Sequence, residues 1–351
     1  MLHPRKPIST LEAYRSPLNR AGLNLDLNEN TMGCSERVLA RLKSLTSRDV
    51  TMYPDRAAGE RFVANFLGVP AEQVFLTNGI DDGLLLLSAA YLGETDEMLL
   101  ADPTFVMYPI YGQATGARVV RVQAGADFTF PTDEILAAIT PHTRLITIAN
   151  PNNPTGTLVP QADLLRIIHA APNAAALVDE AYFDFGGETL LPQVQRFPNL
   201  FIARTFSKAY GLAGLRLGVL IGPTPQVELL RRFCSPFNVN AVALACMEEA
   251  LADQEFVQRY VSEVKQGRDR VASLCAELGL KTWPSHANFL LVHMGENSRN
   301  FVSAMSRRGI SVRGVSSNPG CDGCVRITIG TSTQMDGVLR AMRETVAELN
   351  L

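Results

Sequence analysis

The chain has 351 residues, a formal net charge of -3 and 46% apolar residues, a composition typical of a folded globular protein. No basic block indicates a nucleic-acid surface, and the longest apolar run, Leu84–Leu87, is far shorter than the roughly 20 residues that span a bilayer. With no secretory signal visible, we expect a cytoplasmic protein of two domains, or of one large domain with an appendage.

Residues 1–30 contain several prolines and no clear periodicity, so they are predicted to form an irregular N-terminal arm. From residue 31 to 240, short and continuous apolar runs alternate with helical patterns. Such runs are typical of strands buried on both faces of a mostly parallel sheet with helices on each side. The predicted strands of this large α/β domain are residues 74–77, 98–101, 118–122, 144–149, 175–179, 200–204 and 217–222.

The pattern changes in the last third of the chain. Residues 241–351 are predicted to form a small α+β domain that a long helix at 253–278 connects to the large one. In mostly parallel sheets such as the one predicted for residues 31–240, ligands bind at the carboxyl ends of the strands. The other elements predicted here are strands at 288–292, 310–313 and 325–330 and helices at 298–308 and 333–349.

A glycine-rich segment, residues 205–218, follows the predicted strand that ends at Arg204. Ser207 and Arg216 could hold a phosphate through a hydroxyl group and a bidentate cation. Lys208 could form a Schiff base with an aldehyde. An exposed basic loop that happens to contain glycines would have the same pattern, so this segment alone leaves both interpretations open.

A second set of polar residues, Asp179 and Tyr182, lies at the carboxyl end of the predicted strand at 175–179. A carboxylate such as Asp179 is costly at the end of an apolar strand unless it is paired, and a protonated pyridine nitrogen is one partner that would stabilise it. Tyr182 follows three residues later with a phenolic hydroxyl. A helix N-cap or a metal ligand would explain Asp179 equally well at this point.

Two turns follow other predicted strands. The turn at 150–156 contains two prolines and a glycine, and it would present Asn153 from a rigid loop. The turn at Gly79 precedes a predicted helix, so the backbone N–H groups of Gly79, Ile80 and Asp81 would face an anion. Taken singly, each is also an ordinary structural turn.

Cys321 and Cys324 form a C-x-x-C motif, which could be a redox pair or half of a zinc site. No second C-x-x-C and no nearby histidine pair completes a zinc site, and the motif precedes a strand instead of opening a helix. We interpret it as a turn with two incidental thiols and expect no bound metal.

Together and in this order, these segments resemble the fold-type I pyridoxal 5′-phosphate (PLP) enzymes of the class I and II aminotransferase family, most closely its histidinol-phosphate branch. The resemblance covers nearly the whole chain and implies a mostly parallel central sheet with helices on both faces, a smaller α+β domain, and a homodimer with active sites at the interface. The matching segments are LNEN (27–30), YPD (53–55), DPTFVMY (102–108), PNNPTG (151–156), VDEAYFDF (178–185), RTFSKAYGLAGLRLG (204–218), HANFLL (286–291) and VRITIGT (325–331).

The resemblance also implies a role for each matching residue. Lys208 would bond to the PLP aldehyde and move a proton during the reaction, Asp179 would keep the ring nitrogen protonated, and Tyr182 would bind the ring hydroxyl. The other implied cofactor contacts are Asn153 at the ring hydroxyl, Phe105 stacked on the ring, and Gly79, Ile80, Asp81, Thr205, Ser207, Arg216 and the neighbouring subunit's Tyr53 at the phosphate. The implied substrate contacts are Arg326 and Arg313 at an anionic group, with Asn28 and Asn30 at the substrate entrance.

The reaction implied is transfer of the amino group of histidinol phosphate to 2-oxoglutarate, a step of histidine biosynthesis. Three departures from the family pattern lie near the substrate: Thr31-Met32 replaces Pro-Tyr, Phe105 replaces Tyr, and Ser332 replaces Arg. An aromatic-amino-acid aminotransferase is therefore the alternative, because one polar contact can decide specificity. A lyase resembling threonine-phosphate decarboxylase shares the motifs, and a PLP-binding regulatory module would share the fold.

Overall fold

The computed structural model describes residues 2–13 and 21–351, which form two β-sheets flanked by helices. The strands are β1 (Leu23–Leu25), β2 (Val74–Thr77), β3 (Glu97–Asp102), β4 (Arg118–Gln123), β5 (Thr143–Ala149), β6 (Ala175–Asp179), β7 (Leu200–Thr205), β8 (Gly218–Ile221), β9 (Phe289–His293), β10 (Ile310–Gly314) and β11 (Cys324–Thr328). The helices are α1 (Lys6–Ser9), α2 (Glu36–Lys43), α3 (Ser47–Thr51), α4 (Arg56–Leu67), α5 (Ile80–Tyr91), α6 (Met107–Thr115), α7 (Thr132–Ala138), α8 (Gln161–Ala170), α9 (Thr224–Arg231), α10 (Ala241–Ala252), α11 (Gln254–Glu277), α12 (Ser298–Arg307) and α13 (Ser332–Leu349).

The larger sheet has the strand order β2-β8-β7-β6-β5-β3-β4 in the described residues. The run from β7 to β4 is parallel, whereas β8 is antiparallel to both of its neighbours. Because the carboxyl ends of parallel strands lie at one edge, the turns after β3, β5, β6 and β7 meet there. The predicted fold class is confirmed.

Alternate residues of the central strands enter different cores, which explains their continuous apolar sequence. On β7, Ile202 packs with the helices on one face of the larger sheet, whereas Phe201 and Ala203 pack into the core on the other face. All three side chains are fully buried. The apolar runs therefore reflect a sheet covered on both sides.

The smaller sheet has the order β1-β10-β11-β9, and it packs against α11, α12 and α13. The strand β1 pairs in parallel with β10, with Leu23 opposite Ile310 and Leu25 opposite Val312. The N-terminal arm is therefore not irregular throughout, because residues 23–25 form an edge strand of this sheet.

The helix α10 bears on the predicted division of the chain at residue 240. Its buried side chains, including Ala243, Cys246 and Met247, pack into the core of the larger sheet with α2 and α4. The core of the larger sheet therefore includes α10, and the long helix α11 follows directly after it. The division into independent domains stays a prediction.

None of the helices within the described ranges is long and apolar enough to cross a membrane.

Candidate active site

A cavity of about 430 Å³ opens at the carboxyl-terminal edge of the larger sheet, between the turns that follow β3, β5, β6 and β7 and the start of α5. Side chains from every one of these segments line it. The predicted site residues that line this cavity are Ile80, Asp81, Phe105, Asn153, Asp179, Tyr182, Thr205, Ser207, Lys208 and Arg216.

Lys208 lies in the turn after β7, where its Nζ donates a hydrogen bond of 2.9 Å to the carbonyl oxygen of Leu27. Burial lowers the pKa of Lys208 to about 8, and the positive charge of Arg326 contributes in the same direction. Near neutral pH an appreciable fraction of this amine is therefore unprotonated, which is the form that attacks an aldehyde or accepts a proton.

Asp179 is the last residue of β6 and is 5% exposed. Its Oδ2 accepts a hydrogen bond of 2.7 Å from the Tyr108 hydroxyl, and its Oδ1 accepts one of 3.0 Å from the backbone N–H of Ala181. Burial raises the pKa of Asp179 to about 6, while these two hydrogen bonds lower it. A cationic partner in the cavity would lower the pKa further and hold Asp179 in its charged form.

Tyr182 follows β6, and its hydroxyl oxygen accepts a hydrogen bond of 2.9 Å from Asn28 Nδ2. Asn28 is 1% exposed, and its Oδ1 accepts a second bond of 2.9 Å from the Thr328 hydroxyl of β11. The prediction that Asn28 lines the substrate entrance does not fit this burial. Its amide is used inside the protein, where it joins Tyr182 to the smaller sheet.

The start of α5 and the turn before β8 form a polar corner of the cavity. Arg216 Nη2 lies 3.2 Å from Asp81 Oδ2, and a Cβ atom at Gly79 would collide with the Arg216 guanidinium. A side chain at this position would displace the guanidinium, and the φ of +78° at Gly79 is disfavoured for residues other than glycine. The donors at this corner, including the hydroxyls of Thr205 and Ser207, suit a phosphate group.

The carboxylate of Asp81 is an unexpected feature of this corner. The sequence predicts that Asp81 contributes its backbone N–H, but in the structure its side chain also pairs with Arg216. Within the described residues its Oδ1 is buried without a hydrogen-bond partner. A bound phosphate would therefore share the Arg216 guanidinium with Asp81.

A second cavity of about 550 Å³ adjoins the first and shares Phe105 and Asn153 with it. Arg313 on β10 lies directly opposite Arg326 on β11, and both line this second cavity. Residues opposite each other on antiparallel strands are on the same face of a sheet. The pair therefore forms a cationic wall suited to an anionic group.

Arg326 lines the second cavity and is bonded to Asn153, which lines both cavities. Its Nη1 donates to Asn153 Oδ1 at 2.6 Å, its Nη2 donates to the Asp26 carbonyl oxygen at 2.6 Å, and its guanidinium lies 5.3 Å from the ring centroid of Phe289. Asn153 is thus bonded to the predicted substrate arginine as well as lining the predicted cofactor cavity.

Asn30 and Tyr53 also line neither of the two cavities. Asn30 lines a shallow polar depression with Glu29 and Ser207, and its Nδ2 donates to the Ala209 carbonyl oxygen at 3.0 Å. Tyr53 is 78% exposed and stacks on Phe237 at 4.0 Å between ring centroids. Tyr53 contributes nothing to the cavity of its own chain.

Cys321 and Cys324 are unpaired, buried thiols beside Phe128 and Trp283. Burial raises the pKa of Cys321 to about 12 and that of Cys324 to about 11. Both thiols are therefore poor nucleophiles and poor metal ligands at neutral pH.

Tyr108 also lines this cavity, although the sequence pattern did not predict it as a site residue. It lies in the DPTFVMY segment, but a helical tyrosine gives no sign that its hydroxyl reaches a carboxylate on another strand. The only available signal was its position three residues after Phe105, near the start of a helix that follows β3.

Comparison with known proteins identifies the family. Residues 20–342 match the class I and II aminotransferases. The chain is 38% identical over 356 aligned positions to histidinol-phosphate aminotransferase 1 of Thiobacillus denitrificans, covering 98% of this chain and 90% of the relative. It is 34% identical over 324 positions to histidinol-phosphate aminotransferase of Caldanaerobacter subterraneus subsp. tengcongensis, covering 91% and 92%.

A solved structure gives the same result. Histidinol-phosphate aminotransferase of Sinorhizobium meliloti, in complex with pyridoxal-5'-phosphate, superposes with a TM-score of 0.91 at 25% identity, covering 99% of each chain. The order of strands, the shared cavity at their carboxyl ends and the match over most of the sequence agree. This chain belongs to the class I and II aminotransferase family.

Proposed function

We propose that the protein is a PLP-dependent aminotransferase that converts histidinol phosphate and 2-oxoglutarate to imidazole acetol phosphate and glutamate. The observation that carries the proposal is that Lys208, Asp179 and the anion-binding corner at Arg216 line one cavity. This set of groups suits an aldehyde, a ring nitrogen and a phosphate on one molecule. The similar proteins named histidinol-phosphate aminotransferase support histidinol phosphate as the substrate.

When bound, PLP supplies the aldehyde that takes up the amino group and a cationic ring that accepts the electrons left on the substrate carbon. Asp179, as a carboxylate, favours the positive charge on the ring nitrogen. The neutral Nζ of Lys208 accepts the proton from the substrate carbon that bears the amino group and later returns it. Tyr182, whose hydroxyl oxygen accepts a hydrogen bond from Asn28, would donate to the ring hydroxyl.

The paired arginines support an anionic substrate. Arg326 and Arg313 would bind the phosphate of histidinol phosphate, and the same cations would bind a carboxylate of glutamate in the second half of the reaction. The apolar side chains of Phe105, Val106 and Ile110 line the same cavity and would contact the flat ring of the substrate. These contacts would also suit an aromatic amino acid.

We propose further that the enzyme is a cytoplasmic homodimer with Tyr53 at the neighbouring subunit's phosphate site. The exposed apolar side chains of Val50, Met52, Tyr53, Phe233 and Phe237 support this, and Tyr53 stacks on Phe237. Exposed apolar side chains that lie together are typical of an interface.

A competition assay tests the substrate. With glutamate as donor, imidazole acetol phosphate should be aminated with at least a tenfold higher kcat/KM than phenylpyruvate, because the arginine pair can bind the phosphate. Lys208→Ala is the control and should abolish both reactions without loss of secondary structure. A preference for phenylpyruvate would indicate the aromatic alternative, and release of carbon dioxide without an oxo-acid acceptor would indicate a decarboxylase.

A further inference from the structure

Tyr108 is a buried tyrosine whose hydroxyl group contacts the carboxylate of Asp179. It is the second residue of α6, and it is 1% exposed. Its hydroxyl donates to Asp179 Oδ2 at 2.7 Å, across 71 residues of sequence. Phe105 packs edge-on against its ring, with 5.5 Å between the centroids. The hydroxyl is therefore fixed in place by packing and by a single hydrogen bond to the carboxylate.

The hydrogen bond has a defined direction. Burial raises the pKa of Tyr108 well above its usual value, and the charge of Asp179 raises it further, so the phenol keeps its proton. Tyr108 is thus a permanent donor and Asp179 the acceptor. A donor of this kind favours the ionised carboxylate over the neutral acid.

Other charged groups surround Asp179 and act against Tyr108. Asp81 at the start of α5 and the adjacent Glu180 both favour the neutral acid through like-charge repulsion. Glu180 is paired with Arg204 at 2.8 Å, which offsets part of its charge. Lys208 and Tyr182 line the same cavity. The neighbouring carboxylates of Asp81 and Glu180 therefore oppose the ionisation of Asp179, and the hydrogen bond from Tyr108 favours it.

We propose that Tyr108 is a positioning residue that keeps Asp179 ionised and oriented toward the ring nitrogen of the cofactor. The inference rests on the proposed function, since it assigns Tyr108 a role in holding PLP. Tyr108 is not itself a catalytic residue, because it acts through Asp179.

The sign of the expected effect follows from linkage. Asp179 binds a cationic ring well only above its own pKa, so PLP affinity should fall as the pH drops through that value. Without the Tyr108 hydroxyl the pKa of Asp179 rises, by about one unit for the loss of one hydrogen bond to a charged group. Tyr108→Phe should therefore weaken PLP binding about tenfold at low pH and hardly at all above pH 8.

The experiment measures the PLP dissociation constant of wild-type protein and of Tyr108→Phe from pH 5 to 9, by equilibrium dialysis. The ratio of the two constants at each pH is the readout, because contributions from Lys208 and from the cofactor phosphate cancel in it. We expect a ratio of about ten at pH 5 that approaches one at pH 9. A ratio independent of pH would assign Tyr108 a purely structural role and overturn the inference.

Two controls separate the possibilities. Tyr91→Phe removes a hydroxyl that also donates at 2.7 Å, but to Gln226 and away from the cavity, so its ratio should stay near one. In an Asp179→Asn background, Tyr108→Phe should lose its pH dependence, because residue 179 no longer titrates. A pH-dependent ratio that persists in that background would also overturn the inference.

Failure of the proposed function looks different. In that case wild-type protein would bind no PLP or would bind it without involving Lys208, whatever the residue at position 108. If Tyr108→Phe does not fold, 3-fluorotyrosine introduced at position 108 keeps the ring and makes the phenol a stronger donor. The pH at which PLP affinity falls should then be lower than in the wild-type protein. An unchanged pH dependence of the affinity would contradict the proposal.

Discussion

At the scale of single residues, the structure gives Lys208 an amine with a pKa of about 8, well below that of a lysine in water. Burial is the main cause, since the charged form loses solvation, and Arg326 adds repulsion between cations. Only the neutral amine attacks an aldehyde, so the rate at which PLP is taken up should follow the fraction of neutral Lys208.

We predict that uptake of PLP by cofactor-free protein accelerates with rising pH and reaches half its maximum rate near pH 8. Stopped-flow absorbance of the cofactor measures the rate. Lysine acetylated at its α-amino group, which keeps a free ε-amine, provides the comparison in water. Arg326→Met should shift the midpoint upward, because it removes a nearby positive charge. A midpoint above pH 10 in the wild-type protein would show that the amine is not perturbed.

The sequence predicted some of the residues of this site and not others. The family pattern predicted Lys208, Asp179 and Arg216, and these side chains line one cavity. It did not predict Tyr108, nor the burial of Asn28. Both depend on contacts between segments far apart in the chain, and such contacts leave no local trace in the residue pattern.

At the scale of elements, the short helix-like turn at 126–128 joins the two sheets. Phe128 packs against Trp283 with 4.9 Å between ring centroids, in a small cluster that includes Cys321 and Cys324. Asp127 accepts hydrogen bonds from Lys281 Nζ at 2.6 Å and from Trp283 Nε1 at 3.1 Å. The turn on the larger sheet is thus attached to the chain segment that leads into β9.

We predict that Phe128→Ala lowers the free energy of unfolding by about 3 kcal/mol, as expected for truncation of a buried aromatic side chain. Trp283 is the chain's single tryptophan, so its fluorescence during urea unfolding reports on this cluster directly. Phe66→Ala, at a site that is 43% exposed, is the matched control. Equal effects of the two substitutions would show that the cluster adds little stability.

The elements themselves were predictable to different degrees. The buried strands β2 and β6 have the predicted bounds, because continuous apolar runs between turns are a strong signal. The strand β1 has three residues, too few to show a periodicity. The helix α6 contains a proline and a glycine, and α10 is apolar on most sides, so neither has the amphipathic pattern of a surface helix.

At the scale of the whole molecule, the proposed homodimer would complete each active site with Tyr53 of the neighbouring subunit. In its own chain, Tyr53 is exposed and remote from the cavity, which a role in another subunit would explain. A hybrid of one Lys208→Ala subunit and one Tyr53→Ala subunit would contain one site with both changes and one site with neither.

We predict that mixing the two variants after mild denaturation restores about a quarter of wild-type activity, because half of the dimers are hybrids and each has one intact site. Turnover and sedimentation of the mixture are the measurements. An activity equal to the average of the two separate variants would mean that Tyr53 acts within its own chain or not at all.

The pairing of β1 with β10 joins the beginning of the chain to its end. Translation proceeds from the N-terminus, so the strands of the larger sheet leave the ribosome long before residue 310 exists. Until then, Leu27 and Asn28 lack the neighbours that hold them beside Lys208 and Tyr182. It follows that a nascent chain can build most of the cofactor cavity early but can finish it only when synthesis is almost over.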